Sequence, residues 1–180
     1  MSMKEIAYSL KDYYSRANEV EKIIISCALA AAGASAVGGI IPVLEIPALI
    51  VSCVGAVWTM YIKVCKCLDI KIGENILKFL ASAALSNIAT NLIGVFAAEF
   101  MLTFIPGLSS MAGAIITFSC VYLAGLMFMQ MLLAMAKQGK YGDKLASVSK
   151  EDLETAIKKQ TPTKEEAKNT ISMGKAQFRK

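Results

Sequence analysis

Cys65 and Cys67 stand one residue apart at the end of an apolar segment, with Lys63 and Lys66 beside them. A cysteine in such a juxtamembrane setting is open to S-acylation, a thioester bond to a fatty acid. Cys27, Cys53 and Cys120 lie within apolar stretches, where cysteine behaves as a small hydrophobe, and the spacing gives no extracellular disulfide framework. Glu45 and Glu99 are the only acids inside two long blocks without Lys or Arg. Acid–base chemistry at either would need a base or a metal nearby. The chain has no histidine, which removes the commonest general base and metal ligand. No nucleophile, base and orienting group converge on either acid. Glu45, between Pro42 and Pro47, also fits a plainer role, accepting backbone hydrogen bonds at a helix start. The expectation is therefore no enzyme, no catalytic residue, no metal and no cofactor.

The remaining polar residues fall into patterns that suit packing or passage. Ser82, Ser86 and Thr90 form one helical stripe, with Asn87 and Asn91 beside it. Inside lipid such a stripe must face protein or water. It would either line a water-filled path or serve as hydrogen-bond glue between helices, a routine use in bundles. No Lys or Arg joins it, so anion passage has no support. Ala30, Ala34 and Gly38 recur at four-residue spacing. Such a face lets helix backbones approach closely, within the chain or between copies, although alanine is also simply a good helix former. Met127, Met129, Met131 and Met135 cluster late in the second block. Alternate spacing on a helix scatters their thioethers, so core filling is the expected role rather than a metal site. Trp58 and Tyr61 lie near a basic segment end, where an interfacial aromatic belt would put them.

The elements that carry these residues are marked out by charge. Of 180 residues, 56% are hydrophobic and only 18% charged, with a net charge of +5. Ordinary soluble domains are about a quarter charged, so the balance leans toward a membrane. The modest positive charge suits anionic lipid heads and makes no case for nucleic acid. Lys and Arg are absent from 23–62 and again from 79–136. Basic residues gather before the first block (Lys4, Lys11, Arg16, Lys22), between the blocks (Lys63, Lys66, Lys71, Lys78), and after the second (Lys137, Lys140, Lys144). Each block breaks in its middle at Ile-Pro, Ile41-Pro42 and Ile105-Pro106. Proline lacks an amide proton and disfavours helix in the residue before it.

The predicted fold is all-α: two long helical hairpins, about four apolar helices over 9–38, 46–68, 74–104 and 108–137, inserted in a membrane and followed by a short polar helical tail. A spanning helix needs about 20 apolar residues. The stretches 79–105 and 108–136, both without Lys or Arg, exceed that, while 23–41 and 47–62 are marginal, so the first hairpin either spans a thin bilayer or wedges into one leaflet. The alternative is a soluble bundle with a very apolar core, which would give each helix a charged outer face. The two blocks also align weakly with each other, Pro42 meeting Pro106 and Leu44 meeting Leu108, as an internal duplication would. Three regions follow: a polar amphipathic N-terminal segment, 1–22; the apolar hairpin domain, 23–137; and a polar linker and helical tail, 138–180. The N-terminal segment mixes acids with its lysines and does not resemble a signal peptide. In the tail, Ser149 and Asp152 are spaced as a helix cap, Thr161-Pro162 marks a further helix start, and the composition predicts mobility. Because cytoplasmic loops collect Lys and Arg, both termini are expected in the cytoplasm.

The segment IIPVLEIPALIVSCVGAVWTMYIKVCKCLDI resembles the YcjF-type, GTPase-associated membrane domain of unknown function, found in inner-membrane proteins and at the C-terminal end of some bacterial GTPases. Pro42, Glu45 and Pro47 fill that family's tip positions, and Ile105-Pro106-Gly107 stands where the family has Ile-Pro-Gly before its last apolar helix, with Gly125 inside that helix. The resemblance covers 23–135. It implies a helical module of the bacterial inner membrane that works beside a GTPase. No phosphate-binding G-x-x-x-x-G-K-[ST] motif is present, so nucleotide chemistry would come from a partner. The expected function is a non-enzymatic hairpin module that self-associates in the lipid bilayer and recruits a GTPase or another cytoplasmic protein through its tail. Two other readings stay open: a small oligomeric pore lined by Ser86, Asn87, Thr90 and Asn91, and a soluble helical oligomer acting as an interaction protein.

Overall fold

The structure, a computed structural model, describes residues 15–35, 49–50, 52–101 and 109–178. Among these residues every regular element is helical. The α-helices are α1 (Ala17–Ser35), α2 (Val54–Cys67), α3 (Glu74–Met101), α4 (Ser109–Lys137), α5 (Lys150–Lys158) and α6 (Lys164–Phe178), with a 3-10 segment, Gly142–Ser147, between α4 and α5. Two of them, over Glu74–Glu99 and Met111–Lys137, are long and apolar enough to cross a membrane. As described, α1 and α2 are shorter, at 19 and 14 residues. The tip residues Pro42, Glu45, Pro47, Pro106 and Gly107, together with Gly38, lie outside the described residues.

Local chemistry sets the helix ends. α2 closes when Asp69 turns into the left-handed region at φ 53°, which lets Ile70 N donate to Cys65 O at 2.8 Å. Asp is one of the few side chains that enters this region readily. α4 closes in the same way at Gly139, φ 76°, with Lys140 N donating to Met135 O at 3.0 Å. Glycine is the usual residue at such a closure because it has no Cβ to clash. The GKYG segment is thus a helix stop. At the start of α5, Ser149 Oγ accepts from Asp152 N at 3.1 Å, as its spacing predicts. At α6 the cap falls one residue beyond Pro162. Thr163 Oγ1 accepts from Glu166 N at 3.2 Å, and Glu166 Oε2 accepts from Thr163 N at 2.7 Å. That is a reciprocal capping box.

α4 is the centre of the molecule and packs against every other α-helix. Its residues Ala114, Ile115, Ile116, Phe118, Cys120, Val121, Leu123 and Ala124 are all buried. A helix that is apolar all round must sit in the middle of a protein or in lipid, and α4 takes the first position in this conformation. On one side α1 lies closest, where Gly125 leaves room for Ile24; a Cβ at 125 would stand 2.8 Å from Ile24 Cγ2. α2 packs through Tyr61, which is fully buried. Its ring stacks on Phe128 at 4.0 Å and its hydroxyl donates to Ala124 O at 2.9 Å. Tyr61 is therefore a core residue and not a member of an interfacial belt. Its single hydroxyl finds a backbone acceptor, so burial costs it no hydrogen bond. Trp58 is half-buried, with Lys78 Nζ 5.5 Å from its ring centroid. Met127, Met131 and Met135 are buried in the core, as packing residues.

The polar tail is helical, as its sequence predicts, but in place of the expected mobility it packs along the α3–α4 hairpin. α5 lies on α3 and α4, and α6 lies on α4 and α3. Leu153, Ile157, Ala167 and Ile171 are fully buried. These apolar side chains recur every three to four residues, so each short polar helix has one thin apolar edge, which suffices to dock it.

Candidate functional site

The chain's most distinctive arrangement is the α3–α4 hairpin and what covers it. α3 begins at Glu74 and α4 ends at Lys137. Lys71, just before α3, pairs with Asp143, just after α4, at 2.9 Å, so these ends lie together. The Asp143 carboxylate, accepting a hydrogen bond and supplying negative charge, raises the Lys71 pKa. The pair is largely exposed and contributes little to stability. Its value here is to place Lys71, Lys137, Lys140 and Lys144 around the same end of the hairpin.

From that end the tail runs the length of the hairpin. Lys150 Nζ lies 3.7 Å from the Phe79 ring centroid, level with the first turns of α3. Halfway along, Asn87 Nδ2 donates to Lys158 O at 3.1 Å, satisfying a carbonyl at the end of α5. Near the far end, Lys175 Nζ meets Glu99 Oε2 at 3.0 Å, both side chains about one-quarter exposed. There α6 approaches α4 closely. Gly174 is buried, and a Cβ on it would stand 3.2 Å from both Ile115 Cγ2 and Phe118 Cδ1. Phe178 meets Phe118 edge-on, with centroids 6.4 Å apart.

The polar stripe is part of this cover. Asn87 is half-buried and tied to the tail, while Ser86, Thr90 and Asn91 are exposed on the outer side of α3. Thr90 Oγ1 donates to Ser86 O at 2.9 Å, and Asn91 Nδ2 to Asn87 O at 2.9 Å. The stripe thus lines no path within the described part of the chain. Asn87 acts as glue, while Thr90 and Asn91 bond to groups on their own helix. Ala30 and Ala34 are exposed as well. The seam that α1 makes within the chain runs through Val20, Ile24, Cys27, Ala28 and Ala32, so a seam at Ala30 and Ala34 would be one between copies.

Glu99, one of the two acids inside the apolar blocks, has Lys175 as its counter-ion; their separation of 76 positions left no sequence signal for the pair. Thr163 and Glu166, by contrast, carry a spacing signal that points to the cap. Cys65 is buried, while Cys67 is half-buried. Burial, and then Glu19 accepting from its sulfur at 3.6 Å, push the Cys67 thiol pKa up, against an opposing effect of Arg16. Cys67 is therefore a poor thiolate near neutral pH. Among the described residues no three His, Cys, Asp or Glu side chains gather as metal ligands would. No protein-family model, curated protein or solved structure matches this chain, so its chemistry rests on the residues described above.

Proposed function

We propose that this chain is a non-enzymatic, membrane-associated helical module whose α3–α4 hairpin enters the bilayer. One observation carries the reading. The two helices long and apolar enough to span are neighbours in sequence and in space, and the ends they share are basic. In this reading the basic end stays at the cytoplasmic face, where Lys and Arg collect and anionic lipid heads attract them. Both termini are then cytoplasmic, in a bacterial inner membrane. The resemblance at 23–135 adds a GTPase or another cytoplasmic protein as partner, and the open Ala30–Ala34 face offers a contact between copies. Membranes from expressing cells, extracted with alkaline carbonate and then with detergent, test the reading. The protein is expected in the carbonate pellet, moving only with detergent. Recovery in the carbonate supernatant would sink it.

One observation favours a second reading, a soluble helical interaction protein. Among the described residues Met173 is the only exposed large hydrophobic, and exposed positions on α2 are Gly55, Thr59, Lys63 and Lys66. This reading expects a monodisperse species in buffer without detergent, with none of the protein in the membrane fraction.

A further inference from the structure

The docked tail and an inserted hairpin exclude each other. Between Lys158, beside Asn87, and Lys175, beside Glu99, the tail lies against the stretch of α3 that has no Lys or Arg. Its outward positions there include Lys159, Lys164, Glu165 and Lys168, all exposed. A hairpin that crossed the bilayer with the tail in place would carry these charges to membrane depth. Charges there are costly wherever they cannot reach water or a partner. A tail that leaves, by contrast, uncovers Ile115 and Phe118 of α4, which a bilayer covers equally well.

Resting on the membrane reading above, we propose that α5 and α6 are a detachable sheath: docked, they hold the hairpin in a water-compatible state, and their release is the step that permits insertion. The contacts suit a reversible closure. The apolar edge of the tail is narrow. Its far end is held by one ion pair, Lys175–Glu99, by the close approach at Gly174 and by the edge-on contact of Phe178 with Phe118. The ligand that shifts the balance is the lipid surface itself, because its apolar interior binds the uncovered hairpin more tightly than the covered one.

A covalent tie tests this. The full-length Ile115→Cys, Gly174→Cys variant places two thiols where a Cβ on residue 174 stands 3.2 Å from Ile115 Cγ2, within disulfide reach. One preparation is split into oxidised and reduced halves, and the tie is confirmed by peptide mass. Each half is mixed with vesicles of phosphatidylcholine and phosphatidylglycerol, washed with carbonate and sedimented. The oxidised half is expected to be retained about tenfold less than the reduced half, since the tie removes the insertion-competent state. Lys175→Glu, which sets like charges against each other at Glu99, is expected to raise retention above wild type. Equal retention of oxidised and reduced halves, with no gain from Lys175→Glu, overturns the sheath and leaves the membrane reading standing. The same redox dependence in wild type counts against the sheath, because it would belong to the native cysteines. If neither wild type, the reduced variant nor Lys175→Glu is retained at all, the membrane reading falls, and the sheath with it.

Discussion

Tyr61 and Ala124 are 63 residues apart in sequence and joined by one hydrogen bond. Tyr61→Phe keeps the ring against Phe128 and removes only the donor. The expected loss is about 1 kcal/mol, seen as a lower midpoint of urea unfolding with an unchanged slope. Cys67 gives a second test at this scale. With its pKa raised, the folded protein holds the thiol proton more tightly than the unfolded chain does. That preference is fully present below the ordinary thiol pKa and is lost as pH rises through the raised value. Iodoacetamide should therefore modify native Cys67 more slowly than a free thiol near pH 8, and faster as pH climbs. Glu19→Gln, which removes the negative neighbour, should speed the reaction a few-fold at fixed pH. Cys27, Cys53, Cys65 and Cys120 are buried and should be labelled only when the chain is unfolded. Labelling of Cys65 at the rate of Cys67 would contradict the packing of α2.

Helices α1 and α4 meet where a side chain larger than hydrogen has no space. Gly125→Ala puts a methyl group 2.8 Å from Ile24 Cγ2, and a β-branched residue has few rotamers with which to yield. Overpacking of this kind costs about 1–3 kcal/mol, partly offset by about 1 kcal/mol of better helix propensity. Adding Ile24→Ala should remove most of the clash, so the two substitutions together should cost less than the sum of each alone, as measured by a double-mutant cycle. The start of α6 depends on a different force. Thr163→Ala removes an acceptor and one half of the capping box, and a loss of about 1 kcal/mol is expected. Hydrogen exchange should show it as faster opening at the amides of 164–166, with those of α4 unchanged. A loss spread evenly over the chain would mean that α6 does not open on its own.

Docking of the tail gives the whole molecule its surface. Lys164 and Lys168 are exposed and nominally open to trypsin. The backbone that carries them is nevertheless helical and anchored by Ala167 and Ile171. Cleavage needs local unfolding of that segment. Limited trypsin in buffer should therefore leave α6 intact well after it has cut a free peptide of the same sequence, and mass spectrometry of the fragments will report the order. Rapid loss of 164–178 from the intact protein would mean that the tail is not docked in solution.

Much of the architecture is written in the distribution of charge. The absence of Lys and Arg from 79–136, bounded by Lys78 and Lys137, marks α3 and α4 as the two long apolar helices. Ser149 with Asp152 marks the start of α5. These signals are local, because a cap or a charged turn acts within a few residues and needs no partner elsewhere. Tertiary structure decided what faces what. An all-round apolar helix such as α4 has no periodicity to say whether protein or lipid will surround it; its neighbours do that. Ser86, Thr90 and Asn91 read as residues that must face inward because the sequence alone placed them in lipid, yet in the fold they form an outer surface. The tail read as mobile because it is polar on average. Its few apolar residues, Leu153, Ile157 and Ile171, dock it because complementary surfaces on α3 and α4 lie within reach. Lys175 finds Glu99 for the same reason: complementarity between distant segments exists only once the chain has brought them together.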